Sequence, residues 1–298
     1  MSNNFNRKDY WNLFPVTDRE SVFSKSYTKS FLLHDDFFDG LKTYCLKALN
    51  DSIPSTPEMS WDELLVHLNG TKSFAVKKNK DIFHNIEKLL LSYLSGLNLL
   101  SGIKGLEFPV NLRVVHGTPP GEYLNRSYPT DFFHTDIWAG EPSDIVLGFI
   151  YLAGDVKNTS LDIYEPLDSD LSIYEQHLQS YKEIDFSKLS VKKIEYQPQT
   201  GQLIMFDGIT PHRTLRQSGS VRISLDFRMR RADPYLDIEK AWDRKLAPLS
   251  RYWSLNISKN KDFDQKCAHE LSYLKENHLY SVYQLRKNWC KQIKSART

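Results

Sequence analysis

The chain has 298 residues, 40% of them hydrophobic and 26% charged, which excludes a disordered tail or a fibrous repeat and leaves ample length for a core. Lys plus Arg, 39, against Asp plus Glu, 37, gives a formal charge of +2, far from the basic excess of a protein that neutralises nucleic-acid phosphates. The three cysteines, Cys45, Cys267 and Cys290, form no CxxC pair, the amino terminus has no apolar leader-like run, and no stretch of about 18 apolar residues occurs. The expectation is a cytoplasmic protein with no membrane segment and no nucleic-acid partner.

The first hundred residues read as helical. After Asp35 and Asp36, the residues Phe37, Phe38, Leu41, Tyr44, Cys45, Ala48 and Leu49 recur at helical spacing. Ser60 and Glu63 are placed as a capping box, and Ile82, Ile86, Leu89, Leu90, Tyr93, Leu94 and Leu97 form one apolar stripe. From about residue 110 the texture changes to short apolar runs, NLRVV, DIVLGFIYL, LIMFD and VRISLDFRM, separated by turn segments such as HGTPPGEY and QPQTGQ. That spacing predicts the strands of a β-sandwich or barrel. Residues 165–190 are too long and polar for a hairpin turn and read as an insertion with the character of a lid. After Pro234 helical spacing returns, with Leu279, Val282, Tyr283, Arg286, Trp289 and Ile293 on one face, and the basic stretch from Arg286 to Thr298 reads as a solvated helix end. No internal repeat or low-complexity linker divides the chain. The expected architecture is a single domain with a mainly β core flanked by helices: helical 1–109, β core 110–232 with the 165–190 insertion, and helical 233–298.

Within DFFHTDIW, His134 and Asp136 lie two apart on what reads as an extended stretch, where alternation puts both on one face. About one His-x-acid match is expected by chance in a chain with 9 His and 37 acids, and a second one, His34 and Asp36, opens a helix instead. What distinguishes the first is its company. Downstream, a strand from Leu203 to Phe206 runs into a turn that delivers His212, and ten residues later comes Arg222. Two histidines and one carboxylate are the donor set of a facial triad, which suits ferrous iron and leaves three coordination positions open, two for a keto acid and one for dioxygen. In VRISLDFR, Val221, Ile223, Leu225 and Phe227 share one face, and Arg222, Ser224, Asp226 and Arg228 share the other. The polar face must line a pocket or meet water. Arg222 offers a planar fork to a carboxylate, and Ser224 adds a hydroxyl beside it.

Through His134-x-Asp136, His212 and Arg222-x-Ser224, taken in order and strand context, the segment from Asn111 to Arg231 resembles the iron(II)/2-oxoglutarate-dependent dioxygenases. The resemblance implies a double-stranded β-helix of jelly-roll, cupin-like type. It implies Fe(II) held by His134, Asp136 and His212, 2-oxoglutarate held at its distal carboxylate by Arg222 and Ser224, and O2 as oxidant. Halogenases of this type carry a small residue where this chain has Asp136, so the resemblance implies a hydroxylation or a related oxidation, with release of succinate and CO2. The wording HTDIW with SLDFRMR is similar to that of bacterial biosynthetic oxygenases resembling phytanoyl-CoA hydroxylase. Arg113, Trp138 and Arg228 are candidates for contact with a small-molecule substrate. Two alternatives stay open: a non-catalytic jelly-roll module that binds metal or ligand, and a metal-dependent cupin enzyme that does not use 2-oxoglutarate.

Overall fold

The computed structural model describes Trp11 and residues 21–53, 57–71, 74–107, 109–118, 126–231 and 252–254. Three amphipathic helices form as their apolar spacing predicts: α1 (Asp35–Asn50), α2 (Trp61–Asn69) and α3 (Lys80–Gly96). The capping box on α2 is reciprocal. Ser60 Oγ accepts from the Glu63 N–H at 3.4 Å, and Glu63 Oε2 accepts from the Ser60 N–H at 2.8 Å. α1 packs against α3 with Phe37 stacked on Tyr93, ring centroids 3.7 Å apart. Ile86, Leu90 and Leu94 of α3 are fully buried, each such side chain contributing roughly 1.5–3 kcal/mol of apolar burial.

The amino-terminal part is not wholly helical. β1 (Ser21–Lys25) and β2 (Thr28–Leu32) make a hairpin that pairs, through β2, with β8 (Gln202–Asp207). β3 (Gly105–Glu107) also falls before residue 110. The hairpin escapes a periodicity search because both strands are five residues long, and Ser30 and Thr28 are buried polar positions. The predicted carboxyl-terminal helix of Leu279 to Ile293 and the basic end lie outside the described residues; β11 (Tyr252–Ser254) pairs with β3.

The remaining strands are β4 (Asn111–His116), β5 (Ile145–Gly154), β6 (Leu161–Pro166), β7 (Val191–Lys193), β9 (His212–Thr214) and β10 (Val221–Arg230). They divide between two antiparallel sheets. The larger runs β1-β2-β8-β5-β10-β3-β11 with β4 also on β10, and the smaller runs β7-β6-β9. A bridge between His134 and His212 adds one more rung to the smaller sheet. The chain passes from β4 to the His134 rung, to β5, to β6 and β7, to β8, to β9 and to β10, crossing repeatedly between sheets. That alternation is the double-stranded β-helix the resemblance implied.

Both faces of the larger sheet are covered. Val146, Ile150, Leu152, Leu203 and Met205 join Val221, Ile223, Leu225 and Phe227 in the core shared with the helices. Ile145, Leu147, Phe149, Tyr151, Ile204 and Phe206 turn inward, with Leu161 and Ile163 of the smaller sheet. Arg222, Ser224, Asp226 and Arg228 therefore occupy the inner face of β10. One irregularity matters there: between Ile223 and Ser224 the β5 register skips, pairing Ile223 with Ala153 but Ser224 with Tyr151. At Gly154, with φ +90°, a Cβ would sit 2.3 Å from Val221 O, so the strand can leave β10 beside Arg222 only as glycine.

Candidate metal centre and anion pocket

His134 and His212 are opposite members of one antiparallel rung. The His134 N–H donates to His212 O at 3.0 Å and the His212 N–H donates to His134 O at 2.8 Å. Such a pair sets two side chains on the same face, and the ring centroids are 4.3 Å apart. Asp136 reaches them differently from the expected strand alternation. It has φ −65° and ψ −29° and heads a 3-10 turn at Ile137–Ala139, in which the Ala139 N–H donates to Asp136 O at 3.1 Å. Thr135 Oγ1, accepting from the Trp138 N–H at 3.3 Å, bends the chain at this point, so a turn rather than an extended strand delivers the carboxylate.

Each imidazole is oriented from behind. His134 Nδ1 lies 2.7 Å from Phe132 O, and His212 Nδ1 lies 3.0 Å from Thr210 O. A carbonyl only accepts, so each Nδ1 carries the proton and each Nε2 keeps its lone pair. Burial depresses the His134 pKa to about 3, helped by the neighbouring His212, and burial also lowers that of His212, so both rings are neutral near pH 7. Burial works to raise the Asp136 pKa, but the Arg228 guanidinium and then the two histidines outweigh it and hold the carboxyl well below the usual carboxylate range. Asp136 Oδ1 is 3.8 Å from His134 Nε2 and 3.6 Å from His212 Nε2, and the donor atoms all lie within 4.8 Å of one another. Two neutral imidazoles and an ionised carboxylate converging on one space fit a divalent first-row metal ion.

The second feature is Arg222. Its side chain is 2% exposed, its guanidinium carbon lies 5.0 Å from the Phe149 ring centre and 5.7 Å from that of Tyr151, and NH1 donates to Thr159 O at 2.7 Å. The Nε–H has no hydrogen-bond partner among the described residues. Tyr151 is itself fixed, accepting from the Leu161 N–H at 3.0 Å and lying 3.0 Å from the Tyr196 hydroxyl. A buried cation with aromatic walls and an idle donor is suited to an anionic ligand. The Ser224 hydroxyl donates to Asp226 Oδ1 at 3.3 Å, so it serves a ligand beside Arg222 only by leaving that bond.

No family model and no curated protein matches the sequence. Among solved structures, the chain is similar to the non-haem alpha-ketoglutarate-dependent carbocyclase SnoK from nogalamycin biosynthesis, at 15% identity over 72% of this chain and 87% of that one, with a TM-score of 0.44. It is also similar to a Pseudomonas putida prolyl-4-hydroxylase, at 14% identity over 76% and 97% and a TM-score of 0.37. A third is an N-substituted L-amino acid dioxygenase from Burkholderia ambifaria in complex with alpha-ketoglutarate, at 15% identity over 67% and 81% and a TM-score of 0.35.

The three residues expected to contact substrate fare differently. Trp138 is fully buried, and its Nε1–H donates to Ile173 O at 2.9 Å, so it is a core residue that ties the turn after Asp136 to the insertion. Arg228 is committed to carboxylates, with Nε donating to Asp136 Oδ2 at 2.7 Å and NH1 to Glu107 Oε2 at 3.0 Å. Only Arg113 is open: its side chain is 39% exposed, and its Nε meets Asp226 Oδ2 at 2.6 Å. It pairs across the sheet with Ser224 and so shares the inner face. Arg213 and Arg216 are held by Asp162 and Asp131. Asn111, opposite Asp226, joins the same inner face, which the sequence left unassigned.

The 165–190 insertion packs over the cluster of His134, Asp136 and His212. It contains α4 (Ser172–Glu175) and two 3-10 turns, and the Leu178 N–H donates to Trp138 O at 2.9 Å. Tyr181 stacks on His134, centroids 4.5 Å apart and planes 20° from parallel. Burial, then the charge of Asp136, pushes its phenol pKa up, so it stays protonated. Nothing in the local sequence around Tyr181 signals this contact. Among the described residues, no helix is long and apolar enough to cross a membrane.

Proposed function

We propose that this chain is an iron(II)/2-oxoglutarate-dependent oxygenase that hydroxylates a small metabolite, with release of succinate and CO2. The observation that carries the reading is a pairing on one inner surface: a cradle of two neutral histidines and one carboxylate, and a buried guanidinium whose Nε–H has no partner among the described residues. His134, Asp136 and His212 would hold the metal. Bound iron(II) supplies the redox chemistry that couples oxidative decarboxylation of the keto acid to oxidation of the second substrate.

The chain's own contribution is placement. Arg222 binds the distal carboxylate of 2-oxoglutarate through its planar fork, while Phe149 and Tyr151 exclude water from the salt link and strengthen it. The carbonyls of Phe132 and Thr210 fix the proton on each Nδ1 and aim each Nε2, while burial keeps both imidazoles neutral. Arg113, steadied by Asp226 and partly exposed on the same face, is placed to receive an anionic group of the substrate. The insertion, with Tyr181 over His134, covers the centre and orders or shifts when substrate binds.

The test is anaerobic titration of the full chain with iron(II) and then 2-oxoglutarate, followed by a metabolite screen for substrate-stimulated succinate. The expected result is one iron(II) per chain, with 2-oxoglutarate binding that depends on both iron and Arg222. Iron binding without 2-oxoglutarate binding would leave a metal-dependent cupin enzyme, and 2-oxoglutarate binding without succinate from any substrate would leave a binding module.

A further inference from the structure

The two carboxylate oxygens of Asp136 have different surroundings. Oδ1 faces both histidines, 3.8 Å from His134 Nε2 and 3.6 Å from His212 Nε2. Oδ2 faces the other way and accepts from Arg228 Nε at 2.7 Å. Arg228 is in turn braced by Glu107 Oε2 at 3.0 Å, with Glu141 Oε1 4.0 Å from its Nε. The Arg228 side chain is 13% exposed and those of Glu107 and Glu141 still less, so water competes weakly for these bonds. The partners come from β10, from β3 and from the segment after the Asp136 turn, so the orientation is enforced by three separate pieces of backbone.

We propose that Arg228, braced by Glu107, is a positioning residue that reserves Oδ2 of Asp136 and confines the metal to Oδ1. The inference rests on the reading of His134, Asp136 and His212 as metal ligands. A carboxylate held this way donates one oxygen, so the triad fills three positions of a six-coordinate ion and leaves three open. A carboxylate released from Arg228 can chelate through both oxygens and close one of those three. The number of open positions decides whether a chelating cosubstrate and a further ligand fit together, so Arg228 acts on the reaction without touching substrate. Lysine at this position keeps the charge but lacks a planar fork that spans Asp136 and Glu107.

Manganese(II) is the probe, added to the full chain. Its affinity is read by electron paramagnetic resonance, and its inner-sphere waters are counted by line broadening in oxygen-17 water. The wild type should hold three exchangeable waters. Arg228→Lys should weaken manganese(II) binding by roughly 10- to 100-fold and reduce the count to two. Glu107→Gln, which leaves the Arg228–Asp136 bond in place, should shift both readings in the same direction by less. Wild-type affinity and three waters in both variants would overturn the proposal. So would a lowered melting temperature of the metal-free variants with an unchanged water count, the signature of an ion pair that is only structural. If the wild type takes up no manganese(II), or His212→Ala binds it as tightly, the ligand assignment itself fails and the role of Arg228 falls with it.

Discussion

Two arginines six residues apart on the inner face of β10 show how one residue type is put to opposite uses. Arg228 lies among carboxylates, bonded to Asp136 and Glu107. Arg222 lies over two aromatic rings with a single backbone carbonyl on NH1 and an unpartnered Nε–H. Arg222 is buried and Arg228 is largely withdrawn from water, so the cost of removing a guanidinium from water is met at one end of the strand and left standing at the other. A charge that the fold has already neutralised holds other groups in place, and a charge that the fold leaves unmet is available to a ligand.

The largest effects should come from the centre that Arg228 supports. His134→Ala, Asp136→Ala and His212→Ala should each abolish substrate-dependent succinate formation and metal uptake, checked by anaerobic titration and by circular dichroism for a retained fold. Metal ligands on a preformed β scaffold matter more for chemistry than for folding. The next effect separates the arginines by stability. Arg228→Met leaves two buried carboxylates without their shared partner and should cost about 3–5 kcal/mol in denaturant unfolding of the ligand-free protein. Equal stability of that variant and the wild type would show that the carboxylate cluster is satisfied without Arg228.

At the other end, Arg222→Ala should weaken 2-oxoglutarate binding about a hundredfold or more, since two charge-assisted hydrogen bonds are lost, and Arg222→Lys should weaken it less. Iron(II) affinity should survive in both, and calorimetry on the anaerobic iron(II) protein separates the outcomes. A buried carboxyl away from the site calibrates the comparison. Burial raises the Glu87 pKa to about 7, against the Val110 N–H that donates to its carboxylate at 3.2 Å. Its folded-state pKa is above the unfolded value, so the contribution to stability is present below about pH 4.5 and is lost as pH rises towards 7, by about 1 kcal/mol per pH unit. Glu87→Gln should flatten that slope in unfolding measurements between these limits, and an unchanged slope would assign the effect to other groups. The smallest effect has the opposite sign to the Arg228 change: Arg222→Met should raise the stability of the ligand-free protein by about 1 kcal/mol, because it removes an unmet buried charge.

Much of this was readable from the chain itself. The apolar stripes of α1 and α3, the Ser60–Glu63 box and the alternation of VRISLDFR depend on spacing within a few residues, and local geometry turns that spacing directly into a face. The donor types at His134, Asp136 and His212 also stand in the sequence, together with their order along the chain. Short strands were harder: β1 and β2 carry too few residues for a period, and they join the sheet only because β8 offers an edge.

What the tertiary structure alone decided is which distant groups meet. The rung that sets His134 beside His212, the register skip that pairs Tyr151 with Ser224, the tyrosine stacked on His134 and the guanidinium on Asp136 Oδ2 all join residues from separate strands or loops. Arg228 and Trp138 read as substrate contacts in sequence because a charge or an indole near the ligands is chemically able to serve as one. Their partners, Asp136 with Glu107 and the Ile173 carbonyl, come within reach only when the loops between them close. Local periodicity carries the side-chain types and their face, whereas the pairing of faces is a property of sheet register and loop closure, and it decided that Arg222 stays open and Arg228 does not.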